Sequence, residues 1–132
     1  MKISFDFDGT LDDDFDGNVN IQKDEIQKIA LRYIREGHDV CIITKRHDYN
    51  NRNLGLKNEY LKVMELANKL GIKQVYFTNR EMKFSSIIKL KIDRHFENSD
   101  YELQLISKAC EENNHKCLVV PVEDPYWRDL VY

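Results

Sequence analysis

Short apolar runs alternate along the chain with segments whose apolar residues recur at helical spacing. The five runs are rich in β-branched and aromatic residues, as strands are, and cover residues 3–7, 39–44, 73–78, 91–96 and 117–122. Strands that alternate with helices are typical of right-handed crossover units in a mostly parallel sheet. The pattern therefore predicts a three-layer, doubly wound, Rossmann-like α/β fold with five strands and helices on both faces.

Four helices are predicted between these runs. The first has its apolar face at residues 26–34 and ends at Gly37, and the second has its apolar face at residues 60–70 and ends at Gly71. A short helix over residues 83–90 and a longer one over residues 101–111 complete the set. A length of 132 residues suits one domain, so we interpret residues 1–132 as a single domain.

Composition narrows the classes of partner. Lys plus Arg number 20 against 23 Asp plus Glu, so no overall basic field attracts nucleic acid or anionic lipid, and such a partner needs a local patch. The three cysteines are odd in number, which favours reduced thiols and a cytoplasmic location. No apolar stretch approaches the ~18 residues that cross a bilayer, so we expect neither secretion nor a membrane partner.

Candidate chemistry lies where the predicted strands end. In open parallel sheets, ligands bind outside the carboxyl ends of the strands. The first run leads directly into Asp6, Asp8 and Gly9. Two carboxylates one residue apart on an extended segment point to opposite faces, so both approach one centre only if Gly9 lets the backbone turn. The alternative is an acidic strand end that simply meets water.

The stretch Phe5-Asp6-Phe7-Asp8-Gly9-Thr10-Leu11 resembles the first motif of the haloacid dehalogenase (HAD) superfamily of phosphohydrolases. Further matches arrive in the order of that family. Thr44 ends the second run, Lys83 begins a helix before the fourth run, and Glu97 ends the fourth run with Asp100 nearby. The resemblance implies a small HAD-type fold without a cap domain, since the gaps after the first and third runs are too short for one.

Phosphoryl transfer explains these residue types. Asp6 can attack phosphorus to form an aspartyl-phosphate, and Asp8 can give a proton to the leaving oxygen and later take one from water. Thr44 and Lys83 can bind the phosphoryl oxygens, as can the backbone at Gly9 and Thr10. Mg²⁺ is the implied cofactor. Its candidate ligands are Asp6, the Asp8 carbonyl, Glu97, Asn98 and Asp100.

The fourth motif departs from the family pattern. Many relatives carry two acidic residues there, whereas this chain has Glu97 followed by Asn98 and then Asp100. Asn98 can hydrogen-bond a metal-bound water but adds no charge. Weaker binding of Mg²⁺ is therefore expected.

Two polar segments follow the first and second strands. In the second, Lys45, Arg46, Arg52 and Lys57 against Asp48 give a local charge of 4 − 1 = +3. Lys45 and Arg46 are therefore candidate substrate-binding residues, and a solvated loop is the alternative. The acidic run at residues 12–16 is interpreted as a solvated surface, which in relatives forms a flap beside the site. Trp127 and its neighbours form either a recognition surface or an aromatic cover over the last strand.

The substrate class stays broad at this stage. An open, capless site suits a nucleotide, a nucleic-acid 3′ end or another phosphorylated metabolite, or an oligomer in which a neighbour covers the site. Two other functions compete with a phosphatase. One is a signalling receiver domain, which places its phosphorylated Asp after the third strand, where this chain has Thr78 and Asn79. The other is a catalytically weak or inactive HAD-like protein that binds or senses a phosphorylated ligand.

Overall fold

The computed structural model describes residues 1–48 and 54–132, with the side chains of residues 54 and 55 left out. In these residues five strands form one all-parallel sheet in the order β3-β2-β1-β4-β5. The strands are β1 (Lys2–Phe5), β2 (Asp39–Thr44), β3 (Gln74–Phe77), β4 (Arg94–Glu97) and β5 (Leu118–Pro121). The predicted α/β fold is confirmed, and every strand pairing is parallel.

Helices connect the strands in sequence. They are α1 (Lys23–Arg35), α2 (Leu54–Leu70), α3 (Phe84–Lys89) and α4 (Asp100–Glu112), followed by a final 3₁₀ helix at Trp127–Leu130. Alternation along β2 shows how they are layered. Val40 and Ile42 join an apolar cluster with residues of α1 and α2, whereas Cys41 and Ile43 join another with residues of α3 and α4. Successive strand residues point to opposite faces, so the sheet lies between two helical layers.

Two of the predicted strands extend beyond the observed ones, and backbone hydrogen bonds and angles explain both differences. The first strand ends at Phe5 because the chain turns at Phe7, whose carbonyl accepts from the Thr10 and Asp12 amides. The fourth strand begins only at Arg94. Lys91 has a positive φ of 55°, and the Ile92 amide still bonds back to the end of α3. Lys91 and Ile92 therefore complete the end of the helix, and bonding to the sheet begins at Asp93, whose amide donates to the Lys2 carbonyl at 2.8 Å.

The strand order sets the location of the site. β1 is the central strand, with the chain passing outward to β2 and β3 on one side and to β4 and β5 on the other. The carboxyl ends of β1 and β4 therefore flank the point where the strand order reverses, which is where doubly wound sheets bind ligands.

Trp127 covers the β5 side of this sheet. Its ring is 1% exposed and meets the Phe96 ring edge-on at 6.5 Å. That placement matches the aromatic-cover interpretation. Within residues 1–48 and 54–132, no helix has the length and apolar character needed to cross a membrane.

Candidate active site

Asp6 lies at the centre of the candidate site, immediately after β1. Its amide still donates to the Phe96 carbonyl at 2.9 Å, which fixes the backbone in line with the sheet. Its side chain is 5% exposed and lies toward the α3 and α4 layer. Oδ1 accepts from Lys83 Nζ at 2.6 Å, and Oδ2 accepts from the Thr10 hydroxyl at 3.1 Å. Both oxygens of this carboxylate are therefore held by neighbouring donors.

Lys83 joins two buried carboxylates. It occupies the N-cap position of α3, and its Nζ lies 2.6 Å from Asp6 Oδ1 and 2.8 Å from Glu97 Oε1. Burial lowers the pKa of Lys83, but the two carboxylates outweigh burial and raise it above its usual value. One largely buried ammonium therefore pairs with two carboxylates.

The two carboxylates respond in opposite directions. Burial, followed by the charge of Glu97, raises the pKa of Asp6 to about 8, although Lys83 opposes the rise. Burial acts in the same sense on Glu97, but Lys83 and His95 outweigh it and lower the pKa of Glu97 to about 2. Asp6 is thus the member of the pair that ionises at the higher pH, and a further positive charge close to it would favour its ionised form.

His95 and Ser4 form a chain of side-chain hydrogen bonds that ends at Glu97. They are paired across β1 and β4, and both side chains are fully buried. Burial lowers the pKa of His95 despite the opposing effect of Glu97, so the ring is neutral. Its Nε2 then donates to Glu97 Oε1 at 2.9 Å while Nδ1 accepts from Ser4 Oγ at 2.7 Å. This buried chain of hydrogen bonds orients Glu97 toward Lys83.

Asp8 is held by Arg46. Nη2 of Arg46 donates to Oδ1 of Asp8 at 2.7 Å and Nε donates to Oδ2 at 3.0 Å. Arg46 is 5% exposed, bonds the Glu59 carbonyl at 3.0 Å and lies over the Phe7 ring at 5.0 Å. The structure thus places Arg46, a predicted substrate-binding residue, in contact with Asp8.

Asn98 meets Asp6 and Asp8 at the end of β4. Its side-chain amide lies 2.6 Å from Asp6 Oδ2 and 3.1 Å from the Asp8 carbonyl oxygen. With its nitrogen toward these atoms, the amide donates to both. With its oxygen toward them, the amide would add a third oxygen beside the Asp6 carboxylate and the Asp8 carbonyl, and oxygen ligands of these kinds are the ones that Mg²⁺ prefers. These donors fit Mg²⁺.

Gly9 makes this approach of Asn98 feasible. Its φ is +74°, and a Cβ at this position would collide with the Asn98 amide. The turn after β1 thus requires glycine for two reasons, the backbone angle and the close contact.

Of the other predicted metal ligands, Glu97 lines the same cavity and Asp100 is not among the residues that line it. Glu97 faces Lys83 and His95, with its second oxygen accepting from the Ser99 amide at 3.3 Å. Asp100 is exposed in the first turn of α4. In the described part of the chain, no three His, Cys, Asp or Glu side chains group as metal ligands. A Mg²⁺ ion on Asp6, the Asp8 carbonyl and Asn98 would therefore have a single carboxylate ligand.

Thr44 at the end of β2 and Lys45 just after it lie in different surroundings. Thr44 is fully buried, and its hydroxyl accepts from the Arg46 amide at 3.3 Å. Lys45 lines the cavity in front of Asp6, and its Nζ lies 4.0 Å from Glu102 Oε1. Arg52, which contributed to the predicted positive charge of this loop, lies outside the described residues.

That cavity holds about 320 Å³ and opens in front of Asp6, Asp8 and Lys83. Sequence reasoning assigned no role to four of its lining residues, which are Arg80, Ser99, Tyr101 and Glu102. Arg80 and Glu102 lie near Lys83 and Asp100 in the sequence, but only the folded chain turns them toward the cavity. Periodicity offered no signal for them.

The acidic run at residues 12–16 is organised by local contacts. Asp13 pairs with Lys23 at 3.0 Å, and Asp14 accepts from the backbone and side chain of Asn18, each at 2.9 Å. Asp14, Phe15 and Asp16 line the cavity, so this segment forms one of its walls. Only part of the run is the solvated surface that its charge predicts.

Comparison of the chain with family models, curated proteins and solved structures found no match. The functional conclusions below therefore depend on the geometry of Asp6 and its neighbours.

Proposed function

We propose that this protein is a Mg²⁺-dependent phosphatase of the HAD type, which hydrolyses a phosphomonoester through an aspartyl-phosphate on Asp6. One observation carries the proposal. One oxygen of the Asp6 carboxylate receives the Lys83 ammonium, while the other lies 2.6 Å from the Asn98 amide, which also reaches the Asp8 carbonyl. A carboxylate that has a fixed cation on one side and further polar groups on the other supports a role as a nucleophile assisted by Mg²⁺.

Asp6, the Asp8 carbonyl and Asn98 are the groups that would hold the ion. When bound, Mg²⁺ supplies positive charge that offsets the repulsion between an anionic nucleophile and an anionic phosphoryl group. Because the pKa of Asp6 is raised to about 8, that charge also favours its reactive, ionised form.

The side chains divide the remaining work. Asp6 forms a bond to phosphorus as the bond from phosphorus to the leaving oxygen breaks, and Asp8 supplies a proton to that oxygen. In the second step Asp8 takes a proton from water, which attacks the aspartyl-phosphate and releases inorganic phosphate. Lys83 stays in place throughout because Glu97 holds it.

A receiver domain fits less well. Receiver domains have the strand order 2-1-3-4-5, with the third strand at the centre. Here β3 is an edge strand and β1 is central, so the residues that follow β1 lie at the centre of the site. Thr78 and Asn79, which follow β3, bond back to residues 44–48 instead.

A catalytically weak phosphate-binding protein is the second candidate. The bidentate contact between Asp8 and Arg46 favours it, because it engages both oxygens of the proposed acid and base. An enzyme needs one of these oxygens to reach the leaving group. Tight binding of phosphorylated ligands with no turnover is the result that this second candidate predicts.

The deciding experiment combines a substrate screen with a trap. Phosphorylated metabolites, nucleotides and 3′- or 5′-phosphorylated oligonucleotides are tested with Mg²⁺, using the wild type, Asp6→Asn and Asp39→Asn. Asp39 is an exposed carboxylate at the start of β2, at the end of the strands away from the candidate site. We expect turnover in the wild type and Asp39→Asn but not in Asp6→Asn, and fluoroberyllate bound at Asp6 by ¹⁹F NMR. Activity that survives in Asp6→Asn contradicts the proposal.

We extend the proposal to the cellular location of the protein and to its partners. The three cysteines are free in the structure, which suits the cytoplasm. The partner is a phosphorylated small molecule or a nucleic-acid end, and a second copy of the chain is a further candidate because the cavity is open.

A further inference from the structure

Arg80 reaches the cavity through an unusual backbone conformation. Asn79 and Arg80 have consecutive positive φ values of 53° and 72°. Their amides are held by the Arg46 and Lys45 carbonyls at 3.3 and 2.7 Å. Two successive non-glycine residues in the left-handed region carry a conformational cost, and such strain concentrates at functional sites. Here it brings Arg80 beside Lys45 at the cavity.

Both cations keep donor groups for a ligand. The Lys45 ammonium is 4.0 Å from Glu102 Oε1, and the Arg80 guanidinium is 3.6 Å from Glu59 Oε1. These separations exceed ordinary hydrogen-bond lengths. The side chains are 36% and 49% exposed, and neither donates a hydrogen bond to a residue in the described part of the chain.

Glu102 adds an acceptor in the same wall. Its side chain is 3% exposed. Oε2 accepts from the Lys83 amide at 3.2 Å, while Oε1 has no hydrogen-bond partner among the described residues. A buried acceptor without a donor is unfavourable, and this one belongs to a residue that lines the cavity. A ligand hydroxyl can supply the missing donor.

Charge is distributed unevenly around the cavity. The carboxylates of Asp14 and Asp16 lie on the wall that follows β1, whereas Lys45 and Arg80 lie on the wall that follows β2 and β3. The guanidinium of Arg80 also lies 5.0 Å from the centre of the Phe15 ring, which fixes its direction. An anionic group beside the reacting phosphate would therefore meet less repulsion on the β2 and β3 wall than on the β1 wall.

We propose that Lys45, Arg80 and Glu102 form a subsite for the leaving group. It takes a small phosphomonoester whose alcohol part carries a second anionic group, bound by Lys45 and Arg80, and a hydroxyl that donates to Glu102. The proposal deepens the phosphatase function and rests on it. Because Arg46 is engaged with Asp8, Arg80 takes the role that the sequence suggested for Arg46, as the second cation that binds substrate.

The test uses two esters that differ in one group. Glycerol 3-phosphate and 3-phosphoglycerate share a phosphate and a hydroxyl, but only the second carries a carboxylate. We expect the wild type to favour 3-phosphoglycerate in kcat/KM by about tenfold, as one charge-assisted contact allows. Arg80→Gln and Lys45→Gln should each remove most of this preference, and Arg80→Lys should keep part of it.

Glu102 is tested with a second pair. Glycerol 3-phosphate carries hydroxyls that propyl phosphate lacks, and we expect Glu102→Gln to reduce the preference for the hydroxylated ester by about fivefold. Lys108→Gln is the matched control, because Lys108 is 73% exposed on α4 away from the cavity. It should leave both preferences at their wild-type values.

Failures of the two proposals are distinguishable. If the wild type hydrolyses neither these esters nor p-nitrophenyl phosphate, the phosphatase function fails and the subsite fails with it. If p-nitrophenyl phosphate is hydrolysed but the carboxylate brings no preference, only the subsite is overturned. The subsite is also overturned if the preference for 3-phosphoglycerate survives in both Arg80→Gln and Lys45→Gln. Preference for a 3′-phosphorylated dinucleotide over 3-phosphoglycerate by more than tenfold overturns it as well. Lys45→Gln still decides the matter if Arg80→Gln does not fold.

Discussion

The Arg46 guanidinium and the Asp8 carboxylate form a bidentate contact, with donor–acceptor distances of 2.7 and 3.0 Å. The guanidinium lies between the Phe7 and Phe15 rings, which shield it from water. A proposed proton donor is thus held in one orientation by a residue that itself has little freedom. In the proposed reaction we therefore expect Arg46 to act through Asp8 rather than by binding the substrate.

Replacing Arg46 should therefore affect both stability and proton transfer. We expect Arg46→Ala to lower the free energy of unfolding by about 2–4 kcal/mol, because it leaves Asp8 without its partner. Arg46→Lys should recover only part, since an ammonium cannot make the bidentate contact. Urea unfolding measures the stability of both variants.

Catalysis by the same variants separates orientation from folding. Hydrolysis of an alkyl phosphate, whose leaving oxygen needs a proton, should fall more than hydrolysis of p-nitrophenyl phosphate. Arg35→Ala, at an exposed position on α1, is the control. Equal losses for both esters would show that Arg46 does not act through Asp8.

Asp6→Asn should change how stability depends on pH without metal. The pKa of Asp6 rises from 3.8 to about 8 on folding, so the folded state binds its proton more tightly than the unfolded chain. The wild type therefore loses stability as pH rises from about 4 to about 8. The variant lacks this loss, so its stability relative to the wild type should increase over that interval.

Urea unfolding in EDTA at pH 5 and pH 8 measures this difference, with Asp39→Asn as the reference for removal of an exposed carboxylate. The same slope in Asp6→Asn and the wild type would contradict the raised pKa.

Asn98→Asp should tighten binding of Mg²⁺. The site as it stands offers one carboxylate, one carbonyl and one amide, and a second carboxylate strengthens the attraction to a divalent ion. We expect millimolar binding in the wild type and about tenfold tighter binding in the variant by isothermal titration calorimetry. Saturation of the wild type at low micromolar Mg²⁺ would refute the single-carboxylate site.

Gly9→Ala tests the contact between the turn after β1 and Asn98. Gly9 and Gly71 have similar φ values, +74° and +79°, but a Cβ at Gly71 meets nothing within 4 Å. Gly71→Ala should cost about 1 kcal/mol through the backbone alone. Gly9→Ala should cost more and also weaken Mg²⁺ binding, because Asn98 must move. Equal costs with unchanged binding would argue against the contact.

The fold was largely predictable because its determinants are local. Apolar runs and helical periodicity identified every strand and helix between residues 1 and 112, and parallel pairing followed from their alternation. Lys91 shows the limit, since its positive φ extends the end of α3 into a predicted strand. Backbone angles of this kind leave little trace in a hydrophobic pattern.

The candidate site was predictable at its centre and less so at its edges. Strand ends and a specific motif indicated Asp6, Asp8 and Lys83, which the structure brings to one cavity. Charge counting did not separate Arg46 from Lys45, because burial and pairing with Asp8 arise only in the folded chain. Arg80 reaches the cavity through two left-handed residues, and no spacing rule anticipates it.

Ser4 and His95 have a consequence for the durability of the molecule. Both are fully buried, on the sheet face that also carries Cys41. Their hydrogen bonds hold Glu97, and through it Lys83. We therefore expect a laboratory search for greater thermal tolerance to accept joint aliphatic replacement of this polar pair, and the replacement to lower any turnover that depends on the position of the ammonium.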